Sequence, residues 1–257
     1  VTDQSAPAYM GLGTAAAQTG DRAGAMQAFE RATALAPRDP APLRALGRLQ
    51  LETGDAAGAM SRFDQGLALQ PRFVPLMVDR ANALASLQRW PEAQTQLEAA
   101  EKLEPRLPEI HMLLGDVLQA AKQWSQAEAR YKKVIELAPQ HPAAYNNLAW
   151  MTVARGGPAP QAVEWARQAV TLSPKSSPFH DTLGWALRAA GQLPQALASL
   201  KQAITLEPNV AGYHLHLAAV QADMQQKDAA KASLRKALEL QPQGPMAEEA
   251  RRQLAAL

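Results

Sequence analysis

Apolar residues recur at helical spacing along almost the whole chain, as in Leu113, Leu114, Val117 and Leu118, which share one helix face. The helical stretches are short and are punctuated by prolines at a fixed interval. Pro37, Pro71, Pro105, Pro139, Pro174, Pro208 and Pro242 are separated by 34, 34, 34, 35, 34 and 34 residues. Ala25, Ala59, Ala93, Ala127, Ala162, Ala196 and Ala230 repeat with the same steps. A third series is small throughout: Gly13, Gly47, Ala81, Gly115, Ala149, Gly184 and Ala218. Its 35-residue step falls between Ala149 and Gly184, so the extra residue lies between Ala149 and Ala162, in ARGGPAPQ.

Every unit has one anatomy. The first reads Tyr9-x2-Leu12-Gly13, then Gly20-Asp21, then Ala25-x3-Phe29, then Ala32 and Pro37. This resembles the tetratricopeptide repeat, a helix pair of 34 residues with W-x2-L-G-x2-Y, A-x3-F and P. Seven in-phase copies cover residues 6–39, 40–73, 74–107, 108–141, 142–176, 177–210 and 211–244. The small positions let paired helices approach closely. The residue four after each alanine fills the space between neighbours: Phe29, Phe63, Leu97, Tyr131, Ala166, Leu200 and Leu234. Ala166 departs from the pattern, and Trp165 beside it is expected to supply the bulk. The proline stops the second helix. No unit can bury its apolar face alone, so stacking makes the core continuous. The expected fold is all-α, a single solenoid over residues 1–257. The resemblance implies a right-handed superhelix of antiparallel helix pairs with a concave groove.

The tail PMAEEARRQLAAL spaces Met246, Ala250 and Leu254 four apart among charges. It predicts a capping helix over 245–257, apolar inside and polar outside. The other end has no evident cap. It opens VTDQSAPAYM without an initiator Met, as expected of a processed chain or a piece of a longer one.

Composition narrows the function classes. Hydrophobic residues are 47% and charged residues 19%, which is not a disordered composition. A net charge of +2 without a Lys/Arg block argues against nucleic acid as a partner. The absence of cysteine excludes disulfides, thiolate metal sites and a cysteine nucleophile. No apolar run is long enough to insert in a bilayer, and no signal peptide is evident.

The resemblance implies that the first helix of each pair lines the groove, with the residue after each Gly/Ala position turned into it. Those residues are Thr14, Arg48, Asn82, Asp116, Trp150, Trp185 and Ala219. Four residues earlier, on the same face, stand Met10, Arg44, Val78, Met112, Asn146, Asp181 and Leu215. The next register gives Gly11, Ala45, Asp79, Leu113, Asn147, Thr182 and His216. Trp150 therefore stands over Asn146 and Asn147, and Trp185 over Asp181. Amides can bond an extended peptide or a sugar hydroxyl, and indole faces suit apolar side chains or sugar rings. The competing reading packs both tryptophans against neighbouring helices. Arg44 and Arg48 lie one turn apart near Asn82, as a solvated pair of charges or a contact for a partner carboxylate.

His111, His180 and His214 occupy the place of Tyr9, where packing is expected. His214 and His216 are two apart and share no helix face, so no metal site is expected. No phosphate-binding, nucleophile-elbow or zinc-protease motif occurs, and no nucleophile–base constellation is found. The reading is therefore non-enzymatic, without cofactors.

From Ala144 to Leu238 the order AAYNNLAWM, AVEWARQAVTLSP, SPFHDTLGWALRAAGQ, ALASLKQAITLEP, YHLHLAAVQ resembles bacterial periplasmic tetratricopeptide proteins of exopolysaccharide export and exosortase (PEP-CTERM) systems. That resemblance implies a scaffold that grips a protein or peptide partner in an envelope polysaccharide or protein-export assembly. It implies a periplasmic location with a lipid anchor upstream; a cytoplasmic location is the alternative. Direct polysaccharide binding through the two tryptophans is the rival function. A third reading makes the chain a purely structural segment.

Overall fold

The computed structural model describes residues 5–257. The expectation about how the chain starts falls on residues 1–4, outside the described residues. Among the described residues there are fifteen α-helices and no strand. They fall into two compact units, one ending at Lys133 and one starting at Val134. The first unit holds α1 (Ala6–Gln18), α2 (Arg22–Leu35), α3 (Pro40–Glu52), α4 (Ala56–Leu69), α5 (Val74–Ser86), α6 (Trp90–Leu103), α7 (Pro108–Ala120) and most of α8 (Trp124–Leu137). The second holds α9 (Pro142–Ala154), α10 (Ala159–Leu172), α11 (Ser177–Ala189), α12 (Leu193–Leu206), α13 (Ala211–Asp223), α14 (Lys227–Leu240) and α15 (Pro245–Ala256).

Local chemistry sets the helix limits. Asp21, Asp39 and Asp55 cap α2, α3 and α4 by accepting from Gly24, Ala41 and Gly58 backbone N–H at 2.9, 2.9 and 2.8 Å. Proline opens α3, α7, α9 and α15, where its missing N–H costs no helical bond. The turn within a pair needs one left-handed residue. Gly20, Gly54, Gly156 and Gly191 supply it, but Gln88, Lys122 and Gln225 adopt the same conformation at φ 58°, 58° and 62°. The extra residue of the fifth repeat lengthens one such turn, between Ala154 and Ala159. Helices α9 and α10 keep the 13 and 14 residues of α1 and α2.

Within each unit paired helices pack on one another, and successive pairs pack through contacts such as α2 on α3, α4 on α5 and α10 on α11. The contact that fixes the pair is steric. A Cβ added to Gly13, Gly47 or Gly115 would stand 2.5, 2.3 or 2.4 Å from the ring of Phe29, Phe63 or Tyr131. One on Gly184 would stand 2.5 Å from Leu200 Cγ. Where the small position is alanine, at Ala81, Ala149 and Ala218, the facing residue is not aromatic: Leu97, Ala166 and Leu234. Aromatic bulk on one helix is thus matched by a missing Cβ on the other. All seven residues of the Ala25 series are wholly inaccessible. At the fifth repeat, where Ala166 leaves room, Trp165 packs half-buried against the core of α9–α13 as expected.

Helix α15 covers Ala218 and Leu234 with Ala250, Leu254 and Leu257. Its most deeply buried positions are Ala247 and Ala250, and Glu248, Arg251 and Arg252 face solvent. The stripe is one position wider than Met246, Ala250 and Leu254 alone predict.

Gly47→Ala is expected to lower the unfolding free energy by about 1–3 kcal/mol, because the added methyl must displace the Phe63 ring. Adding Phe63→Leu, which copies the Ala81–Leu97 combination, is expected to recover part of the loss. Urea unfolding of the single and double variants checks both. A double variant less stable than the additive sum would refute the matching rule.

Candidate functional site

In the second unit, α9 presents the amide pair and one tryptophan. Leu148, Ala149 and Met151 are fully buried and hold the helix against its neighbours, which turns Trp150 outward. Trp150 is 42% exposed, high for an indole on a helix whose adjacent positions are core. Asn146 Nδ2 donates to Asn147 Oδ1 at 3.3 Å. Asn146 Oδ1 is closed off from solvent without a donor. The structure therefore places Asn146, Asn147 and Trp150 on one stretch of α9.

On α11 the arrangement differs from the expectation. Trp185 does not stand open over Asp181. It stacks on His216 of α13, with ring centroids 4.5 Å apart and planes at 25°. The Arg188 guanidinium lies over the same indole, 4.7 Å from its centroid. His216 Nδ1 donates to both Asp181 oxygens, at 2.8 and 3.0 Å. Arg188 Nε donates to Asp223 at 2.6 Å. One chain of contacts, Asp181–His216–Trp185–Arg188–Asp223, thus ties α11 to α13. Two hollows of about 410 and 520 Å³ share Trp185, Arg188 and Asp223 as lining. Glu249 of α15 walls the 410 Å³ hollow, where Gln253 first and Arg252 second hold its carboxyl below the usual range. The indole is therefore partly occupied by its own chain, although its register is the groove register.

In the first unit, Arg44 is already paired within the chain. Its Nε donates to Asp79 at 2.5 Å, and the pair is mostly shielded. Arg48 and Asn82 are exposed. Arg48 lines a hollow with Thr14, Phe29, Leu49 and Glu52. Asp116 is spoken for as well, since it accepts from the buried Tyr131 hydroxyl at 2.8 Å.

The three histidines at the Tyr9 position share one task. His111, His180 and His214 each donate from Nε2 to the carbonyl of the proline six residues earlier, at 2.8, 2.9 and 2.9 Å. Each ring pins the loop before its helix. Among the described residues no group of His, Asp or Glu has the arrangement of a metal site. No described helix is long and apolar enough to cross a membrane.

Sequence reasoning put His216 on the groove face but left it, Arg188 and Asp223 out of the site. A signal existed. Arg44–Asp79, Asp181–His216 and Arg188–Asp223 are all 35 residues apart, one 34-residue repeat plus one position. That spacing brings complementary groups of successive first helices side by side.

Tetratricopeptide repeat models match residues 16–72, 50–117, 112–177 and 211–243, and a TPR repeat model matches 184–225. The chain belongs to the tetratricopeptide repeat family. It is similar to a chain of the APC/C hetero-tetramer Cut9–Hcn1 at 18% identity and a TM-score of 0.82, covering 94% of this chain and 48% of that one. This chain thus spans about half the length of that relative. A tetratricopeptide repeat protein from Parabacteroides merdae ATCC 43184 is similar over 98% of both chains, at 17% identity and a TM-score of 0.72. YrrB, described as a TPR protein with an unusual peptide-binding site, is similar at 18% identity and a TM-score of 0.57, covering 74% of this chain and 97% of that one. At these identities the likeness is one of fold. No curated protein matches the sequence. Proteins of this family are in general protein–protein interaction scaffolds that bind protein or peptide partners, and they are typically non-catalytic.

The two tryptophans should separate in solution. Replacing Trp150 by Phe is expected to remove a red-shifted, acrylamide-quenchable component of the emission. Replacing Trp185 by Phe is expected to remove a better-protected one. Equal quenching of the two lost components would contradict the His216 stack.

Proposed function

We propose that the second unit grips an extended segment of a protein partner along α9, with Trp150 as the anchor and Asn146 and Asn147 as backbone ligands. The observation that carries this reading is the exposed indole beside two side-chain amides on a helix whose Ala144, Leu148, Ala149 and Met151 are core. Side-chain amides of this kind carry the donor and acceptor types that an extended peptide backbone presents, and Asn146 would meet it through Nδ2, since its Oδ1 is closed off. The indole offers a rigid apolar surface of the kind that dominates interface energies. Asp181 and Trp185 form the adjoining wall, braced by His216 and Arg188. Arg48 and Asn82 give the first unit its own exposed polar patch, with Arg44 held behind by Asp79. The description of YrrB, a protein of similar fold, as having a peptide-binding site is in keeping with a peptide as the ligand class.

The partner is further proposed to belong to a bacterial envelope polysaccharide or protein-export assembly, with the chain in the periplasm and lipid-anchored upstream. That specification rests on the resemblance of residues 144–238 alone. Polysaccharide binding was the rival expectation, and it needs open aromatic faces. Of the tryptophan pair, Trp185 is already engaged by His216 and Arg188, so the geometry favours the peptide.

A peptide-display selection against the chain tests the reading. Selected peptides are expected to lose about tenfold or more in affinity on Trp150→Ala, and less on Asn146→Ala or Asn147→Ala. Lys201→Ala, at an exposed position of α12, serves as the control and is expected to change nothing. Peptides that bind Trp150→Ala as well as the parent would remove α9 from the site.

A further inference from the structure

We propose that the site on α9 selects its partner by two apolar residues separated by one other. One lies on Trp150, and the other enters the hollow where α9, α11 and α13 end. This inference rests on the α9 reading above and adds the residues that the partner segment must carry.

The hollow is built by the last turns of three successive first helices. Val153 and Ala154 end α9, Arg188 and Ala189 end α11, Asp223 ends α13, and Trp185 is the side wall. Its volume is about 520 Å³. The space is open because Val153, Ala154 and Ala189 are small and aliphatic. Val153 and Ala154 follow Trp150 by three and four positions, so they continue its face of the helix. At a rise of about 1.5 Å per residue they stand about 4.5–6 Å further along α9. An extended segment turns alternate side chains to one side, about 6.5–7 Å apart. A side chain on Trp150 therefore brings the next but one to the hollow, whichever way the segment runs.

The charges at the hollow decide what enters. Arg188 donates to Asp223 from Nε at 2.6 Å and from Nη2 at 3.3 Å. Its guanidinium also lies 4.7 Å from the Trp185 centroid. It stands in the last turn of α11, where a cation answers the negative end of the helix. An acidic side chain would compete with Asp223 for this guanidinium. A basic one would face Arg188 with the Asp223 carboxylate already taken. A neutral apolar side chain displaces water from Val153, Ala154 and Ala189 and leaves the ion pair intact. Arg188 and Asp223 thus set the specificity, by excluding either sign of charge.

Peptides selected by display on the parent chain, measured by fluorescence anisotropy, test the proposal. They are expected to share an apolar-x-apolar pattern. Asp, Glu or Lys in place of the apolar residue that enters the hollow is expected to weaken binding about tenfold or more. Ala189→Trp fills the hollow from an exposed position, so its circular dichroism is expected to match the parent. It is expected to abolish the preference at that peptide residue and to keep the dependence on Trp150. Asp223→Asn uncovers the Arg188 charge. A peptide with Glu at the hollow position is expected to bind this variant about tenfold better than it binds the parent. Binding that needs Trp150 but is indifferent to the second apolar residue and to Ala189→Trp would overturn the proposal and leave the α9 grip standing. Selection of a charged residue at the hollow position by the parent would overturn it as well. Peptides that bind Trp150→Ala as well as the parent would remove both readings.

Discussion

No side chain fits between the two helices of a pair at Gly13, Gly47, Gly115 and Gly184, because Phe29, Phe63, Tyr131 and Leu200 fill that space. The rest of each unit follows from this constraint. It fixes how closely the helices approach, hence which positions of the first helix are core and which are left outside. Interiors of this density tolerate no drift in register, so the outer positions repeat as strictly as the inner ones. At Ala81, Ala149 and Ala218 the extra methyl faces no aromatic ring, only Leu97, Ala166 and Leu234. The space is divided differently there and the fold is kept.

The surface of the first helices is held by a second device. Arg44–Asp79 in the first unit, and Asp181–His216 and Arg188–Asp223 in the second, join successive first helices at a spacing of one repeat plus one position. Each pair is partly exposed and worth on the order of 0.2–1 kcal/mol. Their effect is chiefly positional. They keep Trp185 between an imidazole and a guanidinium, while Trp150, outside this chain of contacts, keeps an accessible indole. Two tryptophans in one register thus have different uses, one as a brace and one as a surface.

The repeat was legible in the sequence because seven copies report the same physics. Any position buried in one pair, such as Ala25 or Leu46, is expected to be buried in the next. The turns were legible through Gly20 and its equivalents, and the lengthened fifth turn through the shifted alanine series. The site was legible only as a register. Asp181 reads as a ligand for a partner until His216 is seen to claim it, and Arg44 likewise until Asp79 does. Such pairing joins side chains on different helices, and it depends on rotamers that a 34-residue period does not encode. Trp185 shows the same limit: its position follows the Trp150 register, but its ring is partly covered from the neighbouring helix. Leu12 is the converse case. Its register groups it with the buried Leu46, Leu114, Leu148 and Leu217, and the structure leaves it exposed.

The central claim is that partner binding uses the outward face of α9 and its α11 wall. The most direct measurement is an NMR titration of the chain with a selected binding peptide, following the side-chain amides of Asn146 and Asn147 and the five indole N–H signals. The account requires the Asn146, Asn147 and Trp150 signals to shift together, with Trp185 moving less and Trp165, packed on the core side, staying still. A saturating titration that leaves those three unmoved would contradict it.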